Sequence, residues 1–391
     1  MSSAGDSRTA ARLLPFGSSI FGEMSRLAAE RSAINLSQGF PDFDGPPGIL
    51  EAAHQAMREG HNQYARSQGH PLLVEAIARK VERRYGIEYD PLKEVIVFSG
   101  ATEGIASAIL GILDPGDEVI LIEPFYDSYP ACVAMAGGTV RCLTLRFPDF
   151  EVDLGALDAL FGERTRLLIL NTPHNPTGKV YTRAELEGIA ALCKKHDVLV
   201  LSDEVYEHIT YAPAEHLPMA CIAGMRDRTL TLSSTGKTFS LTGWKIGWGT
   251  GPEPLVRAAQ AAHQFVTFAT STPFQVAMAR ALDDYDGEYM DTLRREYTER
   301  RDYLAEVLEK AGLRIALPAG TYFILADFSG LFEGDDVAFA RSLVETRGVA
   351  AIPPSGFYSA AKDEGRRLIR FAFSKRMETL RAAGERLLGR S

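Results

Sequence analysis

Val198-Leu199-Val200-Leu201-Ser202-Asp203-Glu204-Val205-Tyr206 is an apolar run that stops abruptly on acidic residues. Its first four side chains are hydrophobic on both parities, so a strand formed here is covered on both faces, as in a mostly parallel sheet. Six further runs share this texture: Val95–Ser99, Val119–Glu123, Val140–Leu145, Leu167–Asn171, Thr229–Ser233 and Ile246–Thr250. Helical spacing of apolar residues appears between them at Thr102–Leu113 and Arg183–His196, and after the last at Glu253–Phe268. Thr182 followed by Glu185 spells a capping box before the second of these. The alternation predicts an α/β fold, a mostly parallel sheet of seven strands sandwiched by helices.

The texture changes after residue 285. Glu288–Ala311 reads as one long charged helix stopped by Gly312, and Gly320–Asp327 and Leu368–Phe373 read as strands flanking a helix at Asp335–Thr346. We therefore expect a large domain over residues 46–285 and a smaller α+β domain over 286–391. Residues 1–45 form an N-terminal arm and add to the small domain.

The chain has 391 residues, 46% hydrophobic and 24% charged, which is ordinary for a globular protein and excludes disordered, collagen-like and disulfide-stapled classes. A net charge of −9 argues against nucleic acid and anionic membrane as partners. No apolar run approaches the ~18–20 residues of a membrane span. Cys132, Cys142, Cys193 and Cys221 form no metal-ligand or redox spacing and read as free thiols of a reducing compartment, with the cytoplasm as the expected location.

Six segments carry chemistry. Lys237, in Ser233-Ser234-Thr235-Gly236-Lys237-Thr238, follows a buried strand among small hydroxyl residues, where a poorly hydrated amine suits nucleophilic work. The same stretch is no Walker phosphate loop, because Leu232 stands where that loop requires glycine. Asn175 lies in Asn171-Thr172-Pro173-His174-Asn175-Pro176-Thr177-Gly178, a turn stiffened by two prolines. Asp203 sits at the carboxyl end of its strand, the usual ligand edge of such sheets. Ser99-Gly100-Ala101-Thr102 turns a strand into a helix, whose open N–H groups suit an anion. Lys245 is the cation of a small-residue turn, Thr242-Gly243-Trp244-Lys245-Ile246-Gly247. Arg370 interrupts the apolar Leu368-Ile369-Arg370-Phe371-Ala372-Phe373, where a buried fork of donors calls for a carboxylate.

In this order the segments resemble the class I and II aminotransferases, fold type I of the pyridoxal 5′-phosphate (PLP) enzymes. The spacing agrees: 28 residues separate Asn175 from Asp203, and 34 separate Asp203 from Lys237. Within that family the chain is most similar to the methionine aminotransferase and kynurenine/glutamine transaminase branch. Ile34–Phe43, Asn62-Gln63-Tyr64, Glu123-Pro124-Phe125-Tyr126-Asp127-Ser128-Tyr129 and Gly243-Trp244-Lys245 carry this part of the likeness. The resemblance implies that Lys237 is the Schiff-base lysine and proton carrier, with Asp203 paired to the pyridine nitrogen. It implies that Tyr206 and Asn175 bond the ring oxygen and that Tyr126 stacks on the ring. The phosphate would be held by the Ala101 and Thr102 N–H groups, Ser234 and Lys245, and by Tyr64 reaching across a homodimer with shared sites. Arg370 would clamp the substrate α-carboxylate, assisted by backbone at Ser37, Gln38 and Gly39, and Phe40, Tyr64, Phe268 and Tyr322 would wall the side-chain pocket. Two departures stand out: Lys245 occupies a position where many relatives carry arginine, and Ala269 follows Phe268 where some glutamine transaminases carry histidine.

The implied activity is ping-pong transfer of an amino group from methionine or another apolar or aromatic L-amino acid to a 2-oxo acid. The same residues would also serve a cysteine-S-conjugate β-lyase or a kynurenine/glutamine transaminase. A non-catalytic PLP-binding regulator is the remote alternative, disfavoured by Lys237 and by the short stretch ahead of the first motif.

Overall fold

The computed structural model describes residues 8–16 and 20–389; part of the expected N-terminal arm, residues 1–7 and 17–19, lies outside them. Twelve strands are present among the described residues: β1 (Ile34–Asn35), β2 (Val95–Ser99), β3 (Glu118–Glu123), β4 (Thr139–Thr144), β5 (Thr165–Asn171), β6 (Leu199–Asp203), β7 (Thr229–Ser234), β8 (Ile246–Thr250), β9 (Arg314–Ala316), β10 (Phe323–Asp327), β11 (Val349–Ala350) and β12 (Leu368–Ala372). The central sheet has seven strands in the order β2-β8-β7-β6-β5-β3-β4. Only β8 runs against its neighbours.

Double coverage explains the strand composition. On β5, Leu167 and Ile169 enter one apolar cluster with Ile105, Leu201 and Leu232, while Leu168 and Leu170 enter the opposite one with Ile189, Val200 and Leu325. Both faces exclude water, so neither parity can carry polar residues. The helix Arg183–Lys195 that covers the second face starts with the expected capping box, Thr182 and Glu185 bonding each other's backbone N–H.

The carboxyl ends of β5, β6 and β7 lie side by side, with Asn171 opposite Asp203 and Asp203 opposite Leu232. The long charged helix runs Glu288–Lys310. Beyond it β12, β10 and β9 form a three-stranded antiparallel sheet in which Arg370 pairs with Leu325. β1 pairs in parallel with β11, and the Ala372 N–H donates to the Leu36 carbonyl at 2.8 Å. The segment before residue 45 is thereby stitched to the C-terminal third, carrying Gln38, Gly39 and Phe40 toward the sheet edge.

Candidate active site

A cavity of about 420 Å³ opens at that edge, lined by residues that include Ala101, Asp203, Lys237, Lys245 and Arg370. At one end, the helix Gly100–Ile112 starts without a side-chain cap from Ser99, so its first-turn N–H groups point at the cavity unpaired within the helix. Gly100 takes φ +77°, and β8 passes so close that a Cβ on Gly247 would lie 2.6 Å from the Ala101 nitrogen. Glycine at 247 lets the strand and the helix terminus share one anion cradle. Ser234, buried at the end of β7, and Lys245, on a left-handed turn at φ +55°, complete it. Partial burial, and then the nearby Lys237 charge, push the Lys245 amine below its ordinary pKa. Such a cation gains from a neighbouring anion.

Behind the middle of the cavity sits a buried carboxylate. Asp203 Oδ2 accepts a 2.6 Å bond from the Tyr129 hydroxyl, and Oδ1 accepts from the Val205 N–H at 3.3 Å. Burial raises its pKa, and Tyr129 and Val205 oppose the rise. The Asn171 side chain ties this strand end to the next loop. Its amide donates to the Asp203 carbonyl at 2.8 Å, and its oxygen accepts from the Asn175 N–H at 2.7 Å.

Lys237 stands on the short helix Thr235–Thr238 that follows β7, half-buried, its amine 3.4 Å from the Gly39 carbonyl and 5.7 Å from each ring centre of Tyr206 and Tyr322. Across the cavity Arg370 is 2% exposed. Its Nη1 donates to Asn175 Oδ1 at 3.0 Å, its Nη2 donates to the Ser37 carbonyl at 3.2 Å, and its plane lies 4.0 Å above the Phe323 ring centre. A guanidinium has no acceptor, so Asn175 must turn its oxygen to Arg370 and its NH₂ elsewhere. Burial lowers the guanidinium pKa to about 10. The arrangement offers an anion cradle, a buried acid, a primary amine and a carboxylate fork, all around one volume.

Residues 31–387 match the family model for aminotransferase class I and II. The chain belongs to this family. A solved structure of N-succinyldiaminopimelate aminotransferase from Mycobacterium tuberculosis is 46% identical, with a TM-score of 0.95 over 98% of this chain and 100% of that one. The methionine aminotransferase of Escherichia coli is 43% identical, covering 96% of this chain and 97% of that protein. Kynurenine–oxoglutarate transaminase 3 of Mus musculus is 39% identical, covering 97% and 89%. The protein is thus a PLP-dependent aminotransferase of fold type I, near the branch the motifs suggested.

The donor set of this aminotransferase fits PLP. The cradle where Gly247 meets Ala101 suits a phosphate, Asp203 suits a protonated pyridine nitrogen and Lys237 suits an aldehyde. Of the residues expected from the sequence, Gln38, Gly39, Phe40, Ala101, Thr102, Tyr126, Asn175, Asp203, Tyr206, Ser234, Lys237, Lys245 and Arg370 all line the cavity. Three expectations change. Tyr322 is fully buried, its hydroxyl engaged by the Gly39 carbonyl at 2.6 Å, and the wall is formed instead by its neighbour Phe323. Ser37 is buried behind the cavity and acts through Arg370. Phe268 is 46% exposed outside this chain's cavity, packed edge-on against Tyr64, which is 83% exposed, with ring centres 5.4 Å apart. Sequence reasoning missed Tyr129, Asn171 and Asp127, all on the cavity wall. Tyr129 and Asp127 sit within a quoted motif, but no local signal showed which way they face.

Proposed function

We propose that this aminotransferase takes its amino group from methionine or from aromatic and other apolar L-amino acids and passes it to a 2-oxo acid in two half-reactions. The observation that carries the substrate class is the cavity wall beyond Lys237. Among the described residues lining it, Arg370 is the one guanidinium, flanked by Phe40 and Phe323, and Asp127 adds a carboxylate. A substrate that spends Arg370 on its α-carboxylate meets apolar rings and a negative charge with its side chain, so a second carboxylate is disfavoured. N-succinyldiaminopimelate carries distal carboxylates, which meet no second guanidinium among the described residues of this wall.

PLP, when bound, supplies an aldehyde for the amino group and a ring that accepts the electron pair left at Cα. The protein's residues do the rest. Arg370 holds the carboxylate and so fixes which Cα substituent faces Lys237. The Lys237 amine would take the proton from the substrate Cα and deliver it to the carbon that PLP supplies as the aldehyde. Asp203, held by the Tyr129 hydroxyl and the Val205 N–H, would pair with the ring nitrogen. Asn175 Nδ2 and Tyr206, which line the cavity, would bond the ring oxygen, and Tyr126 would stack on the ring face.

Tyr64 and Phe268 pack edge-to-face and are exposed, and Phe265, on the helix that ends just before Phe268, is 86% exposed. We assign these exposed rings to a homodimer in which Tyr64 enters the partner's site. The reading is tested by a donor panel of methionine, phenylalanine, kynurenine, glutamine, aspartate and N-succinyldiaminopimelate, each against several 2-oxo acids. Methionine or an aromatic donor should give the highest kcat/KM. A preference for aspartate or N-succinyldiaminopimelate by tenfold or more defeats it.

A further inference from the structure

His263 is fully buried, far from any role in the exchange described above, and both of its ring nitrogens face acceptors. Nδ1 lies 3.0 and 3.1 Å from the two carboxylate oxygens of Glu103, and Nε2 lies 2.9 Å from the Ser67 carbonyl oxygen. A neutral imidazole has one donor and one acceptor, so it cannot satisfy both neighbours; an imidazolium can. The surroundings favour the charge. Glu103 already accepts from the Ser99 N–H at 3.0 Å and from the Ser107 hydroxyl, the donor set of an ionised carboxylate. His263 also occupies the last turn of the helix Glu253–Val266, the negative end of its dipole. Phe98 meets the ring edge-to-face at 5.4 Å and shuts out water.

The two acceptors belong to two different parts of the cofactor site. Glu103 lies in the first turn of the helix Gly100–Ile112, directly beneath the anion cradle. An uncompensated carboxylate there opposes a phosphate. Ser67 ends the segment that carries Tyr64, whose neighbours Gln63 and Ala65 are pinned to the Thr272 hydroxyl at 2.7 and 3.0 Å. Thr272 and His263 are thus two fixed points of the Tyr64 segment, beside the Gln68 bonds to Leu92, Val95 and Val97.

We propose that His263, held as a buried imidazolium, is a positioning residue for the cofactor phosphate. It cancels the Glu103 charge under the helix that receives the phosphate and anchors the segment that offers Tyr64 to the partner's phosphate site. This rests on reading that end of the cavity as the PLP phosphate site.

The test uses full-length protein. Solid-state ¹⁵N NMR of histidine-labelled holoenzyme at pH 8, with His263 assigned by its loss in His263→Gln, should show two protonated ring nitrogens; one protonated nitrogen overturns the proposal. Protein stripped of cofactor is then titrated with PLP and with pyridoxal, which lacks the phosphate. His263→Gln should bind PLP at least tenfold more weakly and pyridoxal within threefold of wild type. The double variant His263→Gln/Glu103→Gln should recover most of the loss, because no charge is then left unpaired. Equal loss for both ligands, or no recovery, indicates a packing role and overturns the proposal. Should His263→Gln fail to fold, Glu103→Gln replaces it, with the expectation that one doubly protonated histidine disappears from the wild-type spectrum while PLP binding is retained; an unchanged histidine spectrum refutes the ion pair. Wild-type protein that binds neither ligand defeats the cofactor reading itself, whereas wild-type binding with the wrong variant pattern defeats this inference alone.

Discussion

Replacing Arg370 by lysine separates charge from geometry at the carboxylate fork. The guanidinium is held in place before any substrate arrives, by Asn175 Oδ1 at 3.0 Å, the Ser37 carbonyl at 3.2 Å and the Phe323 ring face at 4.0 Å. It therefore presents two parallel donors at no further cost in orientation. Lysine keeps the charge but delivers a point donor on a shorter stem, losing one of two charge-assisted bonds at roughly 1.5–3 kcal/mol each. At 1.36 kcal/mol per decade, a net loss of ~1.5–3 kcal/mol lowers kcat/KM about 13- to 160-fold. The assay is a single-turnover half-reaction followed by the visible absorbance of the holoenzyme, with methionine and with 3-(methylthio)propylamine, which lacks the α-carboxylate. Arg370→Lys should slow methionine and leave the amine nearly unaffected, with a melting temperature close to wild type. A methionine rate within threefold of wild type refutes the assignment of Arg370. Equal slowing of both compounds refutes it too, because it moves the effect to Asn175 or to the fold.

Lys237→Ala should lose turnover by several orders of magnitude, and borohydride treatment of wild-type holoenzyme followed by peptide mapping should place a pyridoxyl label on Lys237; near-normal rates or a label elsewhere removes the proposed role. Mixing Lys237→Ala with Tyr64→Ala subunits should restore function at about a quarter of the sites if Tyr64 works in the partner's site, since random pairing makes half the dimers mixed and each has one intact site. No recovery on mixing counts against shared sites. Gly247→Ala forces a Cβ to within 2.6 Å of the Ala101 nitrogen, so the helix terminus must shift and PLP affinity should fall about tenfold or more, the usual ~1–3 kcal/mol of overpacking. Unchanged affinity in a cofactor titration would show that the cradle is elsewhere.

The central sheet was legible because burial on both faces leaves an unusual mark, seen on β5 where Leu167 and Ile169 face one cluster and Leu168 and Leu170 the other. Each observed strand of that sheet lies within two residues of its expected bounds. The strands β1, β9 and β11, of two or three residues, are too short to show a period, and they were not anticipated. Motif residues were legible where the side chain itself is chemically out of place, as with Arg370 among apolar neighbours. The supports were not. Tyr129 reaches Asp203 across 74 residues and Asn171 reaches it across 32, contacts that only the parallel register creates. Tyr322 and Phe323 pack ring against ring at 4.8 Å and both touch Tyr206, and the motif does not reveal which of the two reaches the cavity surface.

Charge placement links the site to the whole chain. The protein carries −9 overall, yet the described residues lining the cavity include three cations, Lys237, Lys245 and Arg370, against two acids, Asp127 and Asp203. Asp203 lies on the sheet edge between the phosphate cradle and the Arg370 end, so a molecule negative at both ends with a positive group facing Asp203 meets opposite charges there. A phosphorylated pyridinium joined to an α-amino acid has that alternation, and a simple dianion does not. The alternation also fits a buried Asp203 whose pKa is raised by burial: the Tyr129 hydroxyl, the Val205 N–H and the Lys237 charge oppose that rise, and a protonated ring nitrogen would add to them.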